Sequence, residues 1–292
     1  MITVTAPTSS IGRQVVDRLL DLETPLRVVA RDPNRLPQAV RERAQIVEGS
    51  HGDSDVVAAA FDGADAVFWL VPPNPRADSV RAAYVDFTRP ACDALRDGNV
   101  DRVVGISALG RGVTGNAGFV TASLEMDDLI AGTGVKYRAL TMPSFMDNLL
   151  RQAEAINSRG VFFSPIAGDR KMPSCATRDI AAAATTLLID DSWDDTASVP
   201  VLGPEDLSFN DMAAIMCEVL SRPVRFQQTD GAGYKANLVA NGMSDAMAQG
   251  MLDMALAKND GLDNAEPRTP AGTTPTTFRQ WCQDVLQPAL TS

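Results

Sequence analysis

The segment Ala6-Pro7-Thr8-Ser9-Ser10-Ile11-Gly12 has the place and spacing of a phosphate-binding turn. A strand-like run, residues 1–5, precedes it, and a helix-like run, residues 12–20, follows. In such a turn the first of three glycines permits a tight bend. The second lets the backbone approach a pyrophosphate, and the third lets helix and strand pack closely. Here Ala6 stands at the first position, Ser9 at the second, and Gly12 keeps the third. Ser9 puts a side chain where a phosphate comes closest; its hydroxyl either donates to a phosphate oxygen or caps the helix. The N–H groups along Thr8, Ser9, Ser10, Ile11 and Gly12, with the positive end of the helix dipole, suit an anion in either case.

A second basic feature belongs with this turn. Arg31 directly follows the second strand-like run, where an acidic residue binds the ribose hydroxyls of NAD; an arginine suits a 2′-phosphate and favours NADP. Arg35 lies one turn later and can assist. Other acid–base candidates are Tyr84, Asp147, Lys171 and Asp179, each with a competing reading as a surface or capping residue. His51 is the only histidine and falls in a loop, where a solvated ring is expected. That argues against His-rich metal sites and a Ser-His-Asp triad with a His to spare. Cys92, Cys175, Cys217 and Cys282 form no CxxC pair, which argues against a disulfide framework and a structural zinc site.

The elements that position these residues alternate. Strands are expected at 2–5, 26–30, 44–48, 66–71 and 103–107, with helices at 12–22, 35–42, 53–61 and 81–98 between them. A helix at 121–130 leads to a sixth strand at 137–142. Alternation of this kind implies βαβ units, a parallel sheet covered on both faces, and a doubly wound α/β fold with ligands beyond the carboxyl ends of the strands. After about residue 150 the pattern changes: a helix at 178–189, a strand at 200–202, a helix capped by Ser208 with Asp211 at its third position, a helix at 244–258 capped by Ser244, a loop at 264–275 and a closing helix at 278–286. The expected division is residues 1–150, nucleotide-binding, and 151–292, a smaller α/β lobe for substrate. Met247, Met251 and Met254 share one helix face and read as core; Met146 is expected in a pocket.

Several runs resemble the NmrA-like branch of the atypical short-chain dehydrogenase/reductases: residues 49–53 and 62–70, Ser107-Ala108-Leu109-Gly110, residues 145–149 and 201–205, Arg222-Pro223-Val224 and the final helix. The resemblance covers essentially the whole chain and implies a Rossmann-like sheet that binds NAD(P)H. It places Asp53 near the adenine, with Val71, Pro72, Pro73 and Ser107 near the nicotinamide. Phe119, Ser123, Phe145, Met146 and Asn148 fall on the substrate side, Asn148 orienting a carbonyl. Members include quinone and isoflavone-type reductases, tailoring enzymes for aromatic natural products, and redox-sensing regulators. The chain departs from the pattern at the Tyr-x-x-x-Lys pair, where Phe119 and Ser123 stand. Neither supplies a proton donor or a cation, and Ser107 alone is a poor acid, so standard carbonyl reduction is disfavoured.

With 37 acidic and 26 basic residues, a net charge of -11, nucleic acid is not an expected partner. No run approaches the ~18 apolar residues of a membrane span, and no leader pattern opens the chain, so a cytoplasmic protein is expected. The reading is an NADP(H)-linked oxidoreductase or tailoring enzyme for an aromatic, quinone-like small molecule, with cofactor binding weakened by the two lost glycines. A non-catalytic NADP sensor acting through a protein partner, a homodimer, and a cofactor-free cyclase, dehydratase or coupling enzyme remain open alternatives.

Overall fold

The computed structural model describes residues 1–98 and 100–291. Its first elements are β1 (Ile2–Val4), α1 (Ser10–Asp21), β2 (Leu26–Ala30), α2 (Gln38–Arg43), β3 (Gln45–Glu48), α3 (Ser54–Phe61), β4 (Ala66–Trp69), α4 (Phe87–Asp97), β5 (Arg102–Ala108), α5 (Phe119–Ala131) and β6 (Lys136–Met142). There follow β7 (Ser144–Phe145), α6 (Ala153–Arg159), β8 (Val161–Ser164), β9 (Met172–Cys175), α7 (Thr177–Ile189), β10 (Ala197–Pro200), β11 (Asp206–Leu207), α8 (Phe209–Leu220), β12 (Arg225–Gln228), α9 (Gly231–Ala240), α10 (Asp245–Asn259), α11 (Phe278–Trp281) and α12 (Gln287–Thr291).

The main sheet has seven strands in the order β10-β6-β5-β4-β1-β2-β3. β1 pairs in parallel with both β2 and β4, β2 with β3, and β4 with β5. The strands are short runs of Val, Ile and Ala, and β1 and β4 are buried along their whole length because helices cover both faces. The strand order reverses between β1 and β4. That reversal is the topological switch point, where a doubly wound sheet opens a crevice beyond its carboxyl ends. The doubly wound α/β fold expected from the alternation is the fold observed.

By contact the residues fall into two compact units, and both are discontinuous. The first comprises Met1–Ala108, Ala122–Thr141 and Ile180–Val199; the second comprises Leu109–Thr121, Met142–Asp179 and Pro200–Ser292. The division is therefore more interleaved than one cut at residue 150. The first unit's core gathers Val67, Trp69, Val103, Met126, Ile130 and Tyr137 between sheet and helices. The second has its own core around Phe162, Met212, Met216, Phe278 and Trp281. It carries a three-stranded sheet, β11-β9-β7, and a parallel pair, β12-β8.

Local chemistry explains where the elements depart from the expected spans. The helix expected over 35–42 is broken: Pro33–Arg35 forms a 3-10 turn, Leu36 is extended, and α2 begins after Pro37. A residue before proline is pushed out of the helical region. The helix expected over 81–98 opens with a widened π turn at Ala82–Asp86 before α4. Pro90 has no N–H and its ring crowds the carbonyl of Asp86, so regular bonding cannot run through it. The strand expected at 200–202 lies earlier, at Ala197–Pro200, and Leu202 makes only an isolated bridge with Thr273. The closing helix passes through another π turn, Cys282–Leu286. Both expected caps form: Ser208 and Asp211 make a reciprocal capping box on α8, and Ser244 caps α10. Met247 is buried, with Met251 and Met254 half-buried. Among the described residues no helix is long and apolar enough to cross a membrane.

Candidate functional site

The turn between β1 and α1 keeps a glycine-type shape without its first two glycines. Ala6 lies at φ 48°, in the left-handed region, at the position where a glycine is usual. Gly12 is pressed against this turn, and a Cβ there would collide with the Ala6 carbonyl. The third glycine is therefore needed for close packing, as its position implied. Ser9 is committed locally. Its hydroxyl donates to the Ala6 carbonyl at 2.8 Å and accepts from the Gly12 N–H at 3.0 Å, as the N-cap of α1. The expectation that it donates to a phosphate gives way to the capping role, because the proton is already used. The first-turn N–H groups of Ser10 and Ile11 have no acceptor within the helix. With the positive end of the dipole of a twelve-residue helix they have the chemistry suited to an anion. Thr8 and Ser10 are exposed, and Ile11 is buried against the sheet.

Thr5 stitches this turn to the neighbouring strand. Its hydroxyl donates to the Phe68 carbonyl at 2.9 Å and accepts the Leu70 N–H at 2.9 Å, across the switch point. The Leu70 carbonyl in turn accepts from His51 Nε2 at 3.0 Å. His51 is 6% exposed, not solvated as expected from a loop position. Its ring stands edge-on to Trp69 and Phe87, with centroids 5.2 and 5.1 Å away. Burial pushes its pKa down to about 4; the Leu70 bond opposes this, and the nearby Arg31 charge adds to it. Arg31, directly after β2, and Arg35, in the 3-10 turn, are both exposed. Asp53 precedes α3 with its carboxylate exposed and making no cap bond. After β4, Val71 and Pro72 are half-buried and Pro73 is exposed.

Ser107 lies near the carboxyl end of β5 and is 7% exposed. Its hydroxyl donates to Asp127, which also accepts from the Tyr137 hydroxyl at 2.7 Å. Asp127 is 2% exposed and Tyr137 1%. Neither residue was singled out from the sequence, although a signal was present. Phe119, Ser123 and Asp127 recur at i, i+4 and i+8 along α5, so Asp127 extends the stripe on which the family resemblance puts the Tyr-x-x-x-Lys pair. Phe119 is half-buried at the start of α5, and Ser123 is buried.

In the second unit, Phe145 is half-buried on β7, paired with Cys175, and Asn148 is exposed in the 3-10 segment Met146–Gln152. Met146 is 2% exposed and belongs to the core cluster, so its packing gives it a core role in place of the expected pocket role. The acid–base candidates take structural positions. Asp147 accepts from the N–H and hydroxyl of Thr177 at the start of α7, and Asp179 accepts from the N–H and hydroxyl of Thr276. Lys171 is exposed, 3.8 Å from Asp211, and burial raises the Tyr84 pKa.

Comparison with known proteins agrees with this geometry. A family profile described as NAD(P)H-binding matches residues 8–191. The chain is 28% identical to an NAD(P)H azoreductase of Xenophilus azovorans, over 90% of this chain and 89% of the relative. It is 30% identical to a (4-alkanoyl-5-oxo-2,5-dihydrofuran-3-yl)methyl phosphate reductase of Streptomyces griseus, over 82% of this chain and 81% of the relative. Among solved structures it resembles the Escherichia coli NADPH-dependent quinone oxidoreductase complexed with NADPH. That match has a TM-score of 0.78 at 21% identity and covers 96% of this chain and 98% of the other.

Proposed function

Because the chain belongs to the NAD(P)H-binding family, we propose that it is an NADPH-linked oxidoreductase acting on a small conjugated aromatic acceptor of the quinone or azo type. The observation that carries the nucleotide half of this reading is the β1–α1 turn. Ala6 adopts a left-handed conformation that an alanine does not choose by itself, and Gly12 is packed where no side chain fits. The acceptor half is supported by the relatives named as azoreductase and quinone oxidoreductase.

The roles follow from chemistry. The N–H groups of Ser10 and Ile11 hold pyrophosphate oxygens, and Arg31 with Arg35 holds the 2′-phosphate. Asp53 serves the adenine end, and Val71, Pro72, Pro73 and Ser107 serve the nicotinamide end. In the second unit, Phe119 and Phe145 offer flat apolar surface to an aromatic acceptor, and Asn148 offers an amide to its polar edge. When bound, a reduced nicotinamide supplies hydride. Two-electron reduction of a quinone or azo group takes one hydride and one proton for the first addition. With Phe119 and Ser123 in place of a tyrosine and lysine, α5 offers neither of those groups to the acceptor, and the proton comes from solvent. Conjugated acceptors tolerate this because the charge left by hydride addition is delocalised, so positioning carries most of the rate.

The test is calorimetric titration with NADPH and NADH, followed by NADPH oxidation assays with quinones and azo dyes. NADPH-selective binding and acceptor-dependent oxidation are expected. Absence of binding to either nucleotide would overturn the cofactor reading. Binding without turnover of any such acceptor would overturn the oxidoreductase reading.

A further inference from the structure

We propose that the second unit binds a lipophilic organic cation in a groove between the loop after β5 and the C-terminal half of α10. The groove has a volume of about 370 Å³, a size that suits a small molecule. All of its lining residues belong to that one unit. Its occupancy needs no bound nucleotide. Two apolar side chains stand open here. Val113, on the loop, is 43% exposed and Leu256, on α10, is 47% exposed, two of the five large apolar side chains left exposed among the described residues. Ala257 and the buried Leu262 continue the apolar wall. The walls are fixed before any ligand arrives. A Cβ on Gly118 would lie 2.0 Å from the Gly250 carbonyl, and a Cβ on Gly110 would lie 2.9 Å from Leu262, so loop and helix end are in close contact. Asn116 Nδ2 donates to Asp253 at 2.9 Å and ties the loop to α10. The segment carrying Leu262 is anchored by its neighbour Asp263, which pairs in the interior with the Lys258 ammonium.

Charge selects the occupant. Asp253, Leu256, Ala257 and Asp260 follow at i, i+3, i+4 and i+7, so they share one face of the helix end, with a carboxylate on either side of Leu256. The helical rise sets those two acids about 10 Å apart along the axis. Neither has an ion-pair partner among the described residues. Asp253 accepts from the neutral amides of Asn116 and Gln249, and Asp260 is exposed. None of the lining residues is basic. Arg170, behind Gly261, gives its Nε to the Asn259 carbonyl at 2.6 Å, and the Lys258 charge is matched by Asp263. The negative end of the α10 dipole adds to the same potential. A small inorganic cation gains nothing from the apolar wall, and an apolar anion is repelled by the acids. A cation whose charge is spread over apolar groups satisfies both surfaces.

The experiment is calorimetric titration of the nucleotide-free protein with tetraphenylphosphonium and with tetraphenylborate, which share a shape and carry opposite charges. Saturable one-to-one binding of the phosphonium is expected, with the borate weaker by about tenfold or more, because two partly screened carboxylates attract one ion and repel the other. Asp253→Asn with Asp260→Asn is expected to remove that preference. Asp191→Asn with Asp194→Asn makes the same change in net charge at exposed sites of the first unit and is expected to leave it intact. Should the first pair fail to fold, Asp260→Asn alone, at an exposed site, is expected to weaken the phosphonium by about threefold. Equal affinity for the two ions, the same loss in both pairs of substitutions, or no saturable binding of the phosphonium would overturn the proposal. So would a concentration-dependent mass in sedimentation that Leu256→Ser abolishes, since the groove would then belong to a second copy of this chain.

Discussion

Two arginines, one on the second strand and one directly after it, show how much a side chain's surroundings decide. Arg27 spends its guanidinium on the Gln45 side chain and on the carbonyls of Ala60 and Asp62. Arg31, four residues on, is exposed and makes no ion pair among the described residues. Arg27 is therefore a structural tie, while Arg31 stands exposed at the position proposed above for the 2′-phosphate. Arg31→Ala is expected to weaken NADPH by about 10- to 100-fold, the range for charge-assisted hydrogen bonds, and NADH by much less. Parallel titrations check this, and equal losses for the two nucleotides would remove the 2′-phosphate role. At this scale the sequence was informative where a residue's neighbours along the chain set its role, as for Arg31 after β2. It was uninformative where partners lie far away. Asp179 bonds Thr276 and His51 bonds Leu70, and neither partnership is written in local spacing.

The element proposed above to hold the nucleotide phosphates is the turn into α1. Its shape comes from three residues acting together: the left-handed Ala6, the capping Ser9 and the close-packed Gly12. A non-glycine residue in that region carries a steric cost of about 1–2 kcal/mol, partly offset by the lower entropy of the unfolded alanine chain. Ala6→Gly is expected to raise stability by about 0.5 kcal/mol or leave it level, and to leave nucleotide affinity intact or improved. Urea unfolding and NADPH titration of the variant measure both. A clear loss of affinity would mean that the alanine methyl itself supports the site. The alternation of strands and helices was legible here because both faces of the sheet are covered and each strand is a short apolar run. The second unit was harder. α9 has no buried residue, so it leaves no apolar stripe to detect, and β8 and β12 pair across some sixty residues of chain.

For the molecule as a whole, His51 ties acid stability to the switch point. Its folded-state pKa is about 4, below the ordinary 6.5. The unfolded chain therefore binds the proton first. The stabilisation from keeping the ring neutral is complete above about pH 6.5 and is lost as pH falls towards 4, reaching about 3 kcal/mol. Equilibrium unfolding of wild type and His51→Gln between pH 7 and 4.5 tests this. The variant is expected to be less stable at pH 7 but to lose less stability on acidification. Identical slopes would show that the ring does not control the transition. The bond to the Leu70 carbonyl favours the protonated ring, so the acid sensitivity comes from burying its charge beside Trp69 and Phe87.

The sequence by itself determined the doubly wound sheet, the glycine that packs the β1–α1 turn and the arginine after β2. These follow from periodicity and short-range spacing, which local backbone geometry translates directly into structure. Only the tertiary structure decided that Ser9 spends its hydroxyl on the helix cap, that His51 is buried and neutral, that Met146 is core, and that Asp127 holds the Ser107 proton. A side chain's burial and its hydrogen-bond partners depend on which distant elements the sheet brings beside it. Ser107 and Asp127 are twenty residues apart in the chain, and they meet because β5 and α5 pack together in one βαβ unit.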